Sequence, residues 1–495
     1  MYDQFFAAPL TTHLVPYLPA PLANLTDTLV QSGDALNEYV DSLAIQAWGI
    51  AEAWIYGGAF PYKSFVIGFA LAVYLFETYL DYRQHRKLKE KQRPEGIASI
   101  VSQDDFAKAN AYGLDKSRFS FVQSFVSQAQ SLLFLSFDVL PWLWATVGSC
   151  LESYAGLGPE YEITQSLVFF IITSVASTVL SLPFNIFYTF VIEERHGFNK
   201  QTLQMFFADT VKELLVGAVI GLPTIAGFLR ITQWAGPHFY VYVWGFVVAL
   251  QITLVTIYPT IIQPLFNKLT PLEPGQLRSQ IEALAARVHF PLTKLYVIDG
   301  SKRSAHSNAY FYGFFKNKRI VLYDTLLDHT DSEEICAILG HELGHWQMNH
   351  TIKLFFITQL HMFSLFYLFS LTVHNQAMFA SFGFLSDAAT ASVGNPTPLL
   401  IGFMLFQYLY MPVENVMSFL MNILSRHNEF EADAYAFHLG YTQPLSSALI
   451  KLQLKNLGNM NPDPWYSAYH YSHPPLVERL HALESLAAQV DKKTS

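Results

Sequence analysis

The 495-residue sequence is poor in charge, since only 14% of its residues are Asp, Glu, Lys or Arg, against roughly 25% in soluble globular chains. Hydrophobic residues, in contrast, make up 52% of it. Its two cysteines exclude a disulfide framework and any zinc site built from several cysteines. The net charge of −9 provides no basic surface for nucleic acid. These deficits indicate a membrane protein without a nucleic-acid partner.

Basic residues are also missing from the N-terminus, because no Lys or Arg precedes Lys63. A cleaved signal peptide or an Arg-rich transit peptide is therefore not expected. We interpret residues 1–60 as an N-terminal segment that lies outside the membrane and precedes the first span.

Long apolar runs follow this segment. A membrane-spanning helix needs about 20 mostly apolar residues. Seven runs meet this requirement, near 61–80, 129–149, 164–192, 213–230, 238–263, 351–373 and 398–424. The second run is interrupted by Asp138 and Pro141, and such breaks are tolerated where neighbouring helices satisfy the freed backbone groups. We therefore predict an all-α membrane protein with seven transmembrane helices.

Loop charge predicts the orientation of these spans. The loops 151–163, 231–237 and 374–397 contain no Lys or Arg, whereas every intervening loop contains some. Cytoplasmic loops carry the excess of basic residues, so the N-terminus is predicted to be lumenal and the C-terminus cytosolic. The sequon at Asn24 fits a lumenal N-terminal segment.

The orientation divides the chain into five regions. They are a lumenal segment (1–60), spans one to five (61–263), a cytosolic loop domain (264–350), spans six and seven (351–424) and a cytosolic C-terminal region (425–495).

Several predicted spans contain ionisable residues, namely Glu77, Asp138, His361 and Glu414. A charge that faces lipid is costly, so such groups usually face the interior of a helix bundle or a wet cavity. Two interpretations remain open: the groups form hydrogen bonds between helices, or the spans surround a hydrated chamber.

The cytosolic loop domain contains an H-E-x-x-H motif from His341 to His345. It follows Asp331-Ser332-Glu333-Glu334, which is typical of a helix start. Two histidines four residues apart on a helix lie on one face, and neutral imidazoles are good zinc ligands. Glu342 lies beside them and can accept a proton from the attacking water. The motif therefore predicts a metalloprotease site.

A catalytic zinc site needs a third protein ligand, and the residues after His345 supply no further histidine at metzincin spacing. Glu429 and Asp433, after the last span, are four residues apart and share a helix face. This arrangement suits one ligand and one carboxylate that holds a ligand histidine. Glu431 should point away, at about 200° around the helix from Glu429. We therefore prefer Glu429 over Glu431 as the third ligand.

Two further segments belong to the cytosolic regions. The first contains predicted strands at 295–298 and 319–323, with 307–313 as a third candidate, and an exposed strand beside a metal site can pair with a peptide backbone. The second segment begins at Tyr471 and includes His473, two prolines and a short predicted helix with Arg479.

These features together resemble the type-I CAAX prenyl proteases, which are integral-membrane zinc metalloproteases of the endoplasmic reticulum and inner nuclear membrane. The resemblance extends from about residue 61 to 485. Its segments are 83–84, 193–200, 299–303 and 306–313, the H-E-x-x-H helix, 429–433 and 472–475. It implies seven helices around a large intramembrane chamber, with a zincin-like helix and a small sheet on the cytosolic side.

The resemblance also implies an activity. Members of this family remove the last three residues of prenylated CaaX proteins, and yeast-type members make a second cleavage nearer the N-terminus of a lipidated pheromone precursor. The implied partners are such substrates and membrane lipid. The C-terminal sequence Lys492-Lys493-Thr494-Ser495 looks like a dilysine retrieval signal of the endoplasmic reticulum.

Residue roles are carried over by motif position. The resemblance implies one zinc ion per chain, with the ligands His341, His345 and Glu429 and with Glu342 as the general base. His473 and Asn308 are similar to family residues that contact substrate carbonyls and help to stabilise the tetrahedral intermediate. Asp433 and Arg479 are expected to support the ligands without contacting the metal.

Two alternative functions are considered. One is a membrane quality-control protease that uses the same site to clear misfolded or translocon-stalled chains. The other is a non-enzymatic transporter or barrier protein, although such a protein needs no general base beside two imidazoles.

Overall fold

The structure is a computed structural model that describes residues 60–313, 318–384 and 397–494. Nearly all of the predicted lumenal segment, with its Asn24 sequon, lies outside the described residues, as does Ser495 at the end of the dilysine-like tail.

Helices form most of the described chain. The α-helices are α1 (Tyr62–Leu88), α2 (Gln103–Ser136), α3 (Val139–Ala155), α4 (Glu162–Phe187), α5 (Leu203–Ala235), α6 (Phe239–Ile257), α7 (Gln276–Arg287), α8 (Asp324–His329), α9 (Ser332–Gln347), α10 (His350–Thr372), α11 (Gln376–Ser381), α12 (Leu399–His438), α13 (Thr442–Lys455), α14 (Pro464–His470) and α15 (Leu476–Thr494). Short π-helical segments extend α4 and α6, at Tyr188–Glu193 and Tyr258–Ile262.

Five helical segments among the described residues are long and apolar enough to cross a membrane, and the bent pair α2 and α3 would make a sixth. One of the five, Leu203–Leu265, has 63 residues. A straight helix of that size would be roughly 95 Å long, about three times the apolar thickness of a bilayer. The segment instead turns at Gly236–His238, and its two helices, α5 and α6, pack against each other. Each predicted run therefore lies on helical chain, while the number of spans stays a prediction.

The predicted second span, 129–149, is not one continuous helix. Helix α2 ends at Ser136 and α3 begins at Val139, and the two helices are bent by 65° relative to each other. Asp138 occupies the break in a left-handed conformation with φ of 50°. Its carboxylate lies 2.8 Å from Nζ of Lys63, at the start of α1. A charged side chain in an apolar run is thus paired with a cation, and the helix breaks where that pair forms.

A four-stranded sheet lies between α6 and α9 in the sequence. Its strands are β1 (Leu269–Pro271), β2 (Leu292–Ile298), β3 (Ala309–Tyr312) and β4 (Lys318–Tyr323), in the order β1-β2-β4-β3. Strands β2 and β4 are parallel, while β3 pairs antiparallel with β4 and forms an edge of the sheet. The three predicted strands are present, and sequence patterning missed only β1, which has three residues and ends in a proline.

One face of the sheet packs against α9. Alternate side chains of β2 and β4, such as Leu295, Ile320 and Leu322, are buried in one cluster with Ile335 and Leu339 of α9. Strand residues two apart point to the same face, and helix residues four apart share a stripe, so the two patterns complement each other. The sheet therefore fixes the helix that carries the H-E-x-x-H motif.

Helix α12 joins the membrane region to the region predicted to be cytosolic. Its 40 residues extend without interruption from Leu399 to His438, beyond the predicted end of the last span at residue 424. Glu429 and Asp433 are both buried on this helix. The candidate third ligand is thus held by a rigid continuation of a membrane helix.

Candidate metal centre

The start of α9 is fixed by a capping box. The Asp331 side chain accepts hydrogen bonds from the backbone N–H groups of Glu333 and Glu334, each at 3.0 Å, and the Glu334 carboxylate accepts one from the Asp331 N–H at 3.0 Å. Glu334 is buried, and Lys451 Nζ and Ser447 Oγ donate to it at 2.7 and 2.6 Å. This confirms the predicted helix start and ties α9 to α13.

Close packing of α9 on α12 brings the motif to Glu429. A Cβ atom added at Gly344 would lie 2.9 Å from Cα and 3.1 Å from the carbonyl oxygen of Ala432. Only glycine, which has no Cβ, allows two backbones to approach this closely. The glycine inside the motif therefore sets the distance between the two histidines and the carboxylate opposite them.

Three side chains converge where the helices meet. Nε2 of His341 and Nε2 of His345 are 3.2 Å apart, and they lie 3.5 and 3.2 Å from Oε2 and Oε1 of Glu429, respectively. Among the described residues, these three form a group of potential metal ligands whose donor atoms all lie within 4.8 Å of one another.

The separations fit a metal ion. Donor atoms placed tetrahedrally at the usual zinc–nitrogen distance of about 2.0–2.1 Å lie about 3.3–3.4 Å apart. The separation of 3.2 Å between the two Nε2 atoms is close to such an edge, and each Nε2 lies within 3.5 Å of a different carboxylate oxygen of Glu429. Oε2 of Glu429 is buried, and its nearest polar neighbour is Nδ1 of His473, at 2.9 Å. Two imidazoles and a carboxylate are typical ligands of catalytic zinc, so the donor set suits a divalent metal.

Asp433 and Arg479 lie directly behind His341. The Asp433 carboxylate is 2.8 Å from Nδ1 of His341, and it accepts two hydrogen bonds from the Arg479 guanidinium at 2.6 and 2.8 Å. A carboxylate on Nδ1 fixes the tautomer of the histidine and turns Nε2 toward the metal position. The predicted supporting residues are therefore next to the ligand they were expected to support.

The electrostatics of the centre are dominated by carboxylates. Burial lowers the pKa of His341, but the hydrogen bonds to Asp433 and Glu429 outweigh it and raise this pKa to about 9. Burial raises the pKa of Glu342, and His341 and His345 partly offset that rise. A carboxyl group with a raised pKa holds a proton more readily, which suits a residue that must accept and return one.

His473 reaches the centre from the C-terminal region. Its Nδ1 lies 2.9 Å from Oε2 of Glu429, and its side chain is 66% exposed. The helix that follows, α15, has 19 residues and is longer than the short helix predicted there, since Leu480 and Leu483 are buried. An exposed imidazole beside the ligand cluster is available to a bound substrate.

Asn308 is not brought into the cluster by the described contacts. It is exposed at the start of the edge strand β3, and its Oδ1 accepts a hydrogen bond from the next backbone N–H, that of Ala309, at 2.8 Å. Strand β3 itself packs against α9. Asn308 is therefore on the element that borders the motif helix, without a recorded contact to the ligands.

Sequence analysis missed the partner of His345. Nδ1 of His345 lies 2.9 Å from Nδ1 of His350, whose Nε2 lies 2.8 Å from Oε2 of Glu431. Glu431 contacts His350 and is tied to the centre through that imidazole. The only sequence signal was a third histidine five residues after the motif, which helical spacing alone does not place near His345.

Comparison with known families covers nearly all of the described chain. Residues 84–268 match a family described as CAAX prenyl protease N-terminal, five membrane helices, and residues 271–487 match Peptidase family M48. The boundary between the two matches falls at β1, so the first contains α2 to α6 and the second contains the sheet and the metal centre.

Individual relatives are similar over most of their length. The CAAX prenyl protease 1 homolog of Oryza sativa is 49% identical over 86% of this chain and 98% of its own, and the CAAX prenyl protease 1 of Saccharomyces cerevisiae is 44% identical over 86% and 95%. The human homolog is 43% identical over 85% and 95%. The crystal structure of S. mikatae Ste24p matches with a TM-score of 0.79 and 42% identity, covering 86% of this chain and 99% of that chain.

Proposed function

Because the chain belongs to the CAAX prenyl protease family and is a membrane metalloendopeptidase, we propose that it removes the last three residues of prenylated CaaX proteins with a single zinc ion. The observation that carries this proposal is the cluster of His341, His345 and Glu429, whose potential ligand atoms all lie within 4.8 Å of one another. Glu342 follows His341 directly on the same helix.

We assign the catalytic roles as follows. His341, His345 and Glu429 would hold the zinc ion, which would supply a Lewis acid for the scissile carbonyl and for water. Glu342 accepts the proton from the attacking water and later returns it to the leaving amine, so the proton balance closes within one turnover. His473 donates a hydrogen bond to the developing oxyanion, for which its exposed position beside Glu429 is suited.

The edge strand β3 offers a site for the peptide substrate. Within the part of the chain that the structure describes, it pairs with β4 on one side only, so its other side can accept an extended backbone. Asn308, exposed at its start, would bind a substrate carbonyl once the peptide lies there. This role depends on the substrate, since the carboxamide has only a local contact without one.

We further propose an endoplasmic reticulum location with a lumenal N-terminus and a cytosolic C-terminus. Alternating loop charge supports this orientation, and membership of the family supports the compartment. In this orientation the metal centre, which follows the basic loops of the cytosolic side, faces the compartment where prenylated proteins are made.

The test is cleavage of a farnesylated CaaX peptide by the purified protein in detergent. Glu342→Gln should retain zinc and reduce kcat by about 10²–10⁴-fold, the usual contribution of a general base. Glu333→Gln, on the exposed first turn of the same helix, is the matched control and should keep native activity. A chelator should abolish cleavage, and zinc should restore it. Full activity of Glu342→Gln would refute the base assignment.

The same assay distinguishes the quality-control alternative. An unprenylated peptide of identical sequence should be cleaved much more slowly if the lipid is recognised. Equal rates for both peptides would favour a general membrane protease that uses the same centre.

A further inference from the structure

A hydrogen-bonded path leads from the metal centre to the far side of α12. It begins at Nδ1 of His345, passes through both nitrogens of His350, and ends at the carboxylate of Glu431, with separations of 2.9 and 2.8 Å. His350 is buried, with 2% of its surface exposed, while the Glu431 side chain is 35% exposed. The path thus crosses from the site to the protein surface through one buried imidazole.

A local turn creates this path. Asn349, between α9 and α10, adopts a left-handed conformation with φ of 58°. The turn folds His350, the first residue of α10, back onto the last turn of α9, where His345 lies. Two residues five apart would not meet on one continuous helix.

The chemistry of the imidazoles fixes the direction of every hydrogen bond in the path. A metal-bound Nε2 carries no proton, so Nδ1 of His345 must be protonated and must donate. Nδ1 of His350 then accepts, which places the His350 proton on Nε2. That Nε2–H donates to Oε2 of Glu431, which accepts the hydrogen bond. Each of the three groups therefore holds its neighbour in the state that leaves Nε2 of His345 free for the metal.

The two ligand histidines are supported in different ways. His341 contacts a carboxylate directly, because Asp433 lies one turn beyond Glu429 on the same face of α12. Glu431 is about 200° around that helix from Glu429, and its recorded contacts are with His350 and His427. His350 lies between Glu431 and His345 and contacts both.

We propose that His350 and Glu431 are positioning residues that orient His345 and strengthen metal binding by a histidine-to-carboxylate relay. The inference rests on the proposed zinc centre and assigns a role to two residues outside the ligand set. It explains how Glu431 can contribute to metal binding although it does not face the metal.

The relay predicts a loss of metal affinity. Removing a partner that orients a metal-bound histidine typically weakens metal binding 10–100-fold. Full-length Glu431→Ala and His350→Ala should each show a loss of that size when zinc is titrated against a competing chelator. The absorption spectrum of the cobalt-substituted protein should change as well, because the His345 ring is no longer held. The double variant should lose no more zinc affinity than the single variant that binds zinc less tightly, since both changes interrupt one path.

Matched variants separate the relay from general damage. His427 also contacts Glu431, with Nε2 3.4 Å from Oε1, but it lies off the path, so His427→Ala should bind zinc within about twofold of the native protein. Glu431 is partly exposed, so Glu431→Ala provides the test even where the buried His350→Ala fails to fold.

Different results would refute the relay and the proposed metal centre. Native zinc affinity and an unchanged cobalt spectrum in Glu431→Ala would overturn the relay, as would losses that add in the double variant. Retention of zinc by His341→Ala would instead overturn the proposed centre itself.

Discussion

At the scale of single residues, Gly344 limits how closely the motif helix can approach Glu429. In Gly344→Ala the new Cβ would meet the backbone of Ala432 at 2.9 Å, which forces α9 away from α12. We expect the variant to lose at least tenfold in zinc affinity, because a three-ligand site tolerates little change in donor separation. Zinc titration of the purified protein measures the effect.

Gly340 provides the control on the same helix. A Cβ there would lie 3.5 Å from the Tyr441 ring and 3.7 Å from Ala436, which are ordinary contacts. Alanine also favours a helix interior over glycine by roughly 0.5–1 kcal/mol, so Gly340→Ala should bind zinc normally and unfold at the same or a higher temperature. Equal zinc affinity in the two alanine variants would show that close approach at Gly344 does not set the site.

At the scale of elements, α12 organises both sides of the metal centre. One turn before Glu429, the buried Arg426 donates hydrogen bonds to the backbone carbonyls of Ser467, Ala468 and Tyr471, at 3.1, 2.8 and 2.8 Å. These contacts hold the end of α14 and the chain that leads to His473. A single helix therefore positions a ligand and the exposed imidazole opposite it.

Arg426→Met should disturb the position of His473 without disturbing that of Glu429. The loss of the guanidinium removes this donor from the Ala468 and Tyr471 carbonyls, at a cost of about 1–3 kcal/mol for each one that water cannot reach, while the Ser467 carbonyl keeps the Tyr471 N–H at 3.0 Å. We expect a lower unfolding temperature and a lower kcat, with zinc content retained, because Glu429 stays on α12. Arg287, exposed and bonded to the Leu439 carbonyl at 2.9 Å, is the control, and Arg287→Met should leave kcat unchanged. Loss of zinc from Arg426→Met would contradict this separation.

Local patterns predicted most of what surrounds the motif. The capping residues before α9, the strands of the sheet and the shared face of Glu429 and Asp433 all follow from short-range spacing. The contact between His345 and His350 does not, because it depends on the backbone turn at Asn349 and on the packing of α10 beside α12. The approach of α9 to α12 at Gly344 is likewise a tertiary feature that no periodicity reveals.

At the scale of the whole molecule, apolar runs located the helices but not their breaks. The run 129–149 was predicted as one span, yet the chain bends by 65° at Asp138. The Asp138 carboxylate pairs with Lys63, a residue 75 positions earlier, so the position of the break depends on a contact between two helices. Hydropathy averages over such a pair and therefore cannot detect it.

The orientation of the spans can be tested with the two native cysteines. Cys150 is exposed near the end of α3, next to a loop predicted to be lumenal, whereas Cys336 is buried on α9. In sealed microsomes, a membrane-impermeant maleimide should label Cys150 only after the membrane is permeabilised. Cys336 should stay unlabelled while the protein is folded, because its thiol is enclosed by the sheet.

A cysteine placed on the opposite side completes this test of topology. Lys91 is exposed in the basic loop after α1, which the positive-inside rule assigns to the cytosol. In a Cys150→Ser background, Lys91→Cys should therefore react in sealed microsomes without permeabilisation. Since α2 and α3 connect the loop at Lys91 to the end of α3, labelling of both positions from one side would mean that the bent pair does not cross the membrane. Labelling from opposite sides would make that pair one broken span, which the apolar lengths alone leave undecided.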